Sequence, residues 1–89
     1  MRVVIIWREN SEYGRDVADW LHEFKRRTGK ELESYNPDEP DGESLAHAYD
    51  VVEYPTILVL TDEDGRIEQG WRGRELPRID DVAAYLINS

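Results

Sequence analysis

The feature that most constrains the fold is a pair of short segments that are apolar at almost every position. Residues 3–7 read Val-Val-Ile-Ile-Trp, and residues 56–61 read Thr-Ile-Leu-Val-Leu-Thr. A strand that faces water on one side alternates apolar and polar residues, whereas a strand buried on both faces carries a continuous apolar run. The two segments therefore predict the central strands of a sheet that has helices packed on both of its faces.

A helix is predicted to follow the first strand, over residues 11–28. Apolar side chains recur there with the spacing of one helical face, as at Val17 and Phe24. Asn10 or Ser11 is expected to cap its first turn, because a short polar side chain can accept a hydrogen bond from an N–H group that has no partner inside the helix. Such a helix would carry the chain back to begin a second strand, parallel to the first.

The remaining segments complete the order βαβαββα. Residues 31–35 predict a short edge strand, and residues 36–42 predict a loop because they are rich in Asn, Pro, Asp and Gly. Residues 62–65, Asp-Glu-Asp-Gly, predict a hairpin turn that makes the last two strands antiparallel. The side chains expected to face inward are Leu45, Ala48, Tyr49 and Val52 in the second helix and Ile79, Val82, Ala83 and Leu86 in the third. The pattern predicts an α/β domain with a four-stranded mixed sheet between helices.

This order resembles the core of the thioredoxin and glutaredoxin family, and two local patterns strengthen the resemblance. Tyr54-Pro55-Thr56, directly before an apolar strand, is similar to the cis-proline signature of the family. Residues 3–14 align without gaps with the first strand and the active-site loop of glutaredoxins. The resemblance covers residues 1–89 and implies a single thioredoxin-like domain.

The redox motif of the family is degenerate in this chain. Where glutaredoxins have Cys-Pro-Tyr-Cys, the sequence reads Ser11-Glu12-Tyr13-Gly14, and the chain contains no cysteine. Thiol–disulfide exchange needs one thiolate to attack and a second thiol to resolve the mixed disulfide. The hydroxyl of Ser11 stays protonated at neutral pH without a dedicated base, and Gly14 has no side chain. No thiol–disulfide oxidoreductase activity is therefore expected.

The resemblance also implies a binding surface that needs no thiol. In the family, the backbone before the cis-proline pairs with an extended peptide, which amounts to adding a short strand. The candidate binding residues here are Tyr54, Pro55 and Thr56, together with Ser11 and Tyr13 across the groove. An alternative stays open for each part of this surface. Pro55 could serve only to shape its loop. The two tyrosines, with Trp7 or Trp71, could be ordinary core residues and not an aromatic patch for binding.

Arg8 and Ser11 raise a second function, a site for glutathione or another small ligand. Arg8 lies where many glutaredoxins carry a lysine that holds a glutathione carboxylate, and Ser11 would hydrogen-bond the thiol. The glycine pair that such proteins use for the other end of glutathione is missing, because residues 71–75 read Trp-Arg-Gly-Arg-Glu. A solvated arginine and a serine that only caps the helix are the plainer interpretations.

Composition restricts the partners further. The chain carries 20 acidic and 11 basic residues, and its net charge of −9 disfavours nucleic acid because phosphate binding needs a basic face. A basic partner surface suits this charge. His22 and His47 are too far apart in sequence for a local metal motif, and no cofactor motif is present. The apolar run of residues 3–7 is too short for a membrane span or a signal peptide, so a soluble cytoplasmic protein is expected.

The sequence thus predicts a redox-inactive domain that binds a protein or an extended peptide in the groove beside Pro55. A glutathione or small-ligand site is the alternative, and docking through the acidic surface is a third. The sequence leaves the oligomeric state open.

Overall fold

β1 (Arg2–Ile6) and β3 (Thr56–Leu60) form the centre of the sheet, as the two apolar segments predict. In the computed structural model, which describes residues 1–87, every residue of β3 is buried, and so is every residue of β1 after the first. The two strands are antiparallel, and Ile6 lies opposite Thr56. The end of β1 and the start of β3 therefore lie at the same end of the sheet.

Two edge strands and three helices complete the fold. β2 (Glu33–Tyr35) pairs in parallel with β1, and β4 (Ile67–Arg72) pairs antiparallel with β3, which gives the strand order β2-β1-β3-β4. The helices are α1 (Gly14–Thr28), α2 (Pro40–Ala48) and α3 (Ile79–Ile87). The predicted order βαβαββα and the mixed four-stranded sheet are confirmed.

Each face of the sheet carries its own core. The core under α1 and α3 consists of Val3, Ile5, Val17, Phe24, Leu32, Ile57, Val59, Ile79, Val82 and Ala83. The core under α2 consists of Val4, Ile6, Ala46, Val51, Leu58 and Leu60. Alternate residues of β1 and β3 face opposite cores, and this explains why both strands are apolar throughout. The inward face predicted for α3 is confirmed, since its last member, Leu86, packs against the first of these cores.

α2 begins earlier than predicted. It starts at Pro40, inside the segment expected to be a loop, and ends at Ala48. Proline fits the first position of a helix, where its missing N–H group would have no partner in any case. Gly42 lets the helix lie against the backbone of Asn36, because a Cβ at Gly42 would collide with the carbonyl oxygen of Asn36.

The inward face predicted for α2 is only half right. Leu45 and Tyr49 are partly buried against the second core, as expected. Ala48 is exposed, and Val52 lies beyond the helix with 84% of its surface accessible. The helix ends too early for Val52 to lie on it, because the chain turns at Asp50, which has a left-handed backbone conformation (φ 53°).

α1 begins at Gly14, three residues later than predicted. Tyr13 occupies the cap position, and no side chain caps the first turn, so the predicted cap by Asn10 or Ser11 is wrong. The end of the helix agrees with the prediction: it closes at Thr28, and Gly29 follows in the left-handed conformation (φ 72°) that ends many helices. The cause of the late start lies in the loop before α1.

Candidate functional site

Two loops meet at the end of the sheet where β1 finishes and β3 starts. They are residues 7–13, between β1 and α1, and residues 51–55, between α2 and β3. Their point of contact is a cation–π pair, in which the guanidinium of Arg8 lies 4.8 Å from the centroid of the Tyr54 ring. We call this surface the Arg8–Tyr54 site. It contains the degenerate motif and the proline loop that the sequence singles out.

Arg8 is held in place by a carboxylate from a third segment. Its Nε and Nη2 donate to the two carboxylate oxygens of Asp38, at 2.9 and 3.0 Å, which is the bidentate geometry of a strong arginine–carboxylate pair. This hydrogen bonding raises the pKa of Arg8 and lowers the pKa of the Asp38 carboxyl. The guanidinium is therefore not simply solvated, and a ligand carboxylate would have to compete with Asp38 for it.

Arg8 also lies between the two tyrosines predicted at the site. Its backbone N–H donates to the hydroxyl oxygen of Tyr13 at 3.3 Å, while its guanidinium covers Tyr54. The tryptophans are elsewhere: the indole of Trp7 donates to the hydroxyl of Ser34 at 2.6 Å, and Trp71 packs on a ring of α3. The aromatic part of the site is thus two tyrosines separated by an arginine.

Ser11 stabilises its own loop instead of capping the helix. Its hydroxyl donates to the carbonyl oxygen of Arg8 at 2.6 Å, and its carbonyl oxygen accepts from the N–H of Gly14 at 3.1 Å. The hydroxyl proton is therefore used within the loop. With Glu12 exposed and paired to Arg74 at 2.6 Å, the degenerate motif forms a closed turn against the start of α1.

Gly14 determines how tightly this turn closes. A Cβ at this position would lie 3.0 Å from the carbonyl carbon of Glu9 and 3.3 Å from the carbonyl oxygen of Arg8, and still nearer the carbonyl oxygen of Glu9. Only a glycine allows the first residue of α1 to approach the loop this closely. The helix therefore starts at Gly14, and this position, which the resemblance aligns with the second cysteine of glutaredoxins, accommodates no side chain.

The loop before β3 is fixed by hydrogen bonds of its backbone. The Tyr54–Pro55 peptide bond is cis. The carbonyl oxygen of Pro55 accepts from the N–H of Gly73 at 2.9 Å, and that of Glu53 accepts from the hydroxyl of Thr56 at 2.7 Å. Thr56, one of the predicted binding residues, is fully buried, and its side chain positions the loop.

Part of the same loop has unpaired backbone groups. Within residues 1–87, no hydrogen-bond partner is found for the backbone N–H or C=O of Val52 and Tyr54. The side chain of Val52 points away from the cores, since 84% of its surface is accessible. The hydroxyl of Tyr54 reaches back to the carbonyl oxygen of Val51 at 3.3 Å, which holds its ring beside the loop.

No pattern in the sequence marks Asp38 or Val52 as parts of this surface. Asp38 reads as one acidic residue of a solvated loop, and Val52 reads as the last residue of a helix. Both acquire their roles from chain segments that are distant in sequence or from where a helix ends. The steric role of Gly14 has a weak signal, since a glycine at the start of a helix is unfavourable unless close packing needs it.

Residues 1–87 contain no group of three or more His, Asp or Glu side chains that could hold a metal ion. No helix among them is long and apolar enough to cross a membrane.

Comparison with known proteins bears on the fold. Neither a protein-family model nor a curated protein sequence matches the chain. Among solved structures, thioredoxin 1 from Thermosipho africanus TCF52B matches with a TM-score of 0.65 and 11% sequence identity, over 99% of this chain and 92% of that one. A thioredoxin from Thermus thermophilus matches with a TM-score of 0.62 and 19% identity, over 97% of this chain and 71% of that one. A malarial protein matches with a TM-score of 0.64 and 17% identity, over 97% of this chain and 92% of that one.

These likenesses show that the chain has the thioredoxin-like fold, as the sequence predicts. Because the chain has no cysteine, the fold occurs here without the thiols on which thioredoxin chemistry depends. At such low identity the comparisons establish the shape of the domain and carry no statement about its partners.

Proposed function

We propose that this protein is a redox-inactive thioredoxin-like module that binds an extended segment of another protein along residues 51–55. The observation that carries the proposal is the unpaired backbone of Val52 and Tyr54, next to the exposed apolar side chain of Val52. Backbone N–H and C=O groups without partners are what an added strand needs, because strand addition obtains its affinity from main-chain hydrogen bonds. Val52 offers the apolar contact that such binding uses for specificity.

The surroundings of the loop support a preference for basic segments. Glu9 and Glu53, in or beside the two loops, are exposed, whereas Arg8 is paired with Asp38 and Glu12 with Arg74. The Tyr54 ring, held under the guanidinium of Arg8, forms a firm wall next to the unpaired backbone. A bound segment would thus meet a fixed surface with carboxylates at its rim, and complementary charge would guide its approach.

The test is selection of peptides from a random display library, followed by NMR of the amide groups. We expect a selected peptide to shift the amide signals of Val52 and Tyr54 more than those of the edge strand β4. Val52→Asp should weaken its affinity at least about tenfold, because it places a charge in the apolar contact. Ile67→Asp is the matched control, since Ile67 is another exposed large hydrophobic residue but lies on β4.

Two results would contradict the proposal. If Val52→Asp and Ile67→Asp weaken the peptide equally, binding does not depend on the loop. If no peptide is selected and glutathione instead shifts the signals of Arg8 and Ser11, the small-ligand alternative replaces it. That alternative requires the ligand to displace Asp38 from Arg8, so Asp38→Asn should then strengthen glutathione binding.

A further inference from the structure

A second recessed surface lies between the edge strand β4 and helix α3, on the face of the sheet that carries α1. It is a shallow cavity of about 350 Å³, lined by Gln69, Trp71, Asp80, Asp81, Ala84 and Tyr85. Its aromatic wall is an edge-to-face pair, in which the rings of Trp71 and Tyr85 have centroids 6.1 Å apart and an interplanar angle of 71°. Both aromatic residues are partly accessible.

The two carboxylates of the cavity differ in their ion pairs. Asp80 is paired with Arg27 at 3.0 Å and lies 3.9 Å from Arg78, so its charge is balanced by the chain itself. Asp81 forms no ion pair with any residue in the range 1–87. The cavity lining contains no lysine or arginine. It therefore combines aromatic rings with one carboxylate, that of Asp81, that forms no ion pair within the described residues.

The Arg8–Tyr54 site contains the same combination of an aromatic ring and a carboxylate. At the Arg8–Tyr54 site, an aromatic ring and a carboxylate together hold a guanidinium, with 4.8 Å between the cation and the ring centroid and 2.9 Å between Nε and the carboxylate oxygen of Asp38. Tryptophan is the strongest of the aromatic side chains in attracting a cation, and a second ring adds to the effect. The cavity presents the same two kinds of group.

We propose that this cavity binds a lysine or arginine side chain of a partner protein. The cation would lie against the Trp71–Tyr85 pair with its charge facing Asp81. The net charge of −9 makes the approach of a basic protein favourable and that of an acidic one unfavourable. The site is independent of residues 51–55, because it lies on α3 and β4 and shares no residue with that loop.

The test uses a lysine-rich peptide and the indole N–H signal of Trp71, assigned by its loss in Trp71→Phe. We expect the peptide to shift this signal, the same peptide with acetylated lysines to leave it unchanged, and methylamine at the same concentration to leave it unchanged. Tyr85→Leu should weaken the binding by about three- to tenfold, and Tyr85→Phe should keep it, since the ring remains.

Charge is controlled with a matched pair of variants. Asp81→Asn and Glu63→Gln each remove one negative charge from an exposed position, but Glu63 lies in the β3–β4 turn. We expect only Asp81→Asn to weaken the peptide. Equal effects of the two variants, equal binding of the acetylated peptide, or full affinity in Tyr85→Leu would overturn the site. A shift by methylamine equal to that by the peptide would overturn its assignment to a partner protein.

Discussion

Replacing Gly14 with alanine tests whether the loop before α1 is built around a missing side chain. A Cβ at this position would lie 3.0 Å from the carbonyl carbon of Glu9 and 3.3 Å from the carbonyl oxygen of Arg8, and inside the van der Waals contact distance of the carbonyl oxygen of Glu9. All of these are backbone atoms, so no side chain can rotate away from the new methyl group. The loop itself must move.

The expected loss follows from two opposing effects. Forcing an extra carbon into a tightly packed position lowers the free energy of unfolding by about 1–3 kcal/mol. Alanine restores at most about 0.5–1 kcal/mol of helix propensity relative to glycine. We therefore expect Gly14→Ala to lower the free energy of unfolding by about 1–2 kcal/mol, which corresponds to a fall in melting temperature of about 4–16 °C for a domain of this size.

Urea denaturation followed by circular dichroism measures this loss. Ala18→Gly is the matched control, because Ala18 is an exposed residue of the same helix and its change reports helix propensity alone. If propensity governed both positions, Gly14→Ala would stabilise the protein by as much as Ala18→Gly destabilises it. A midpoint for Gly14→Ala at or above that of the wild type would refute the steric argument.

Three further predictions concern the core and the Arg8–Tyr54 site. Phe24→Ala should lower the free energy of unfolding by about 3–5 kcal/mol in urea denaturation, because Phe24 is buried and large. Trp20→Phe should lower it by about 1 kcal/mol, since the indole N–H donates to the carbonyl oxygen of Pro77 at 2.9 Å and phenylalanine leaves that oxygen unpaired. The pKa of Asp38 is lowered in the folded state by its hydrogen bond to Arg8, so this contribution is present above the unfolded pKa and is lost as the pH falls through the folded one. The difference in urea midpoint between wild type and Asp38→Asn should therefore shrink below about pH 4, and a difference that does not change with pH would contradict it.

The strands and their order could be predicted because they follow from local pattern. β1 and β3 carry apolar residues at successive positions, so both faces of each strand are apolar. Only a sheet that is covered on both sides buries such strands. The helix bounds were less accurate, since two of them depend on close approach between segments. α1 starts at Gly14, which lies against the backbone of Glu9, and α2 starts at Pro40, which places Gly42 against the backbone of Asn36.

The site could be located from the sequence but not assembled from it. The residues that bring the two loops together are Arg8 and Tyr54, and their contact depends on Asp38, thirty positions along the chain from Arg8. No periodicity or short motif encodes such a pairing. The buried state of Thr56 is a similar case, because the hydrogen bond that turns its hydroxyl inward is made to the carbonyl of Glu53 in a loop of irregular shape.

Restoring the cysteines of the resembled family would not simply restore their chemistry. A cysteine at position 14 carries the same Cβ as alanine, so Gly14→Cys must displace the loop that holds Arg8. Arg8 in turn lies over the ring of Tyr54, the residue whose backbone stays unpaired. A cysteine at position 14, which the redox reaction needs, is thus incompatible with the loop conformation that places Arg8 over Tyr54. Under the function proposed here, peptide binding depends on Gly14 although Gly14 contacts no peptide.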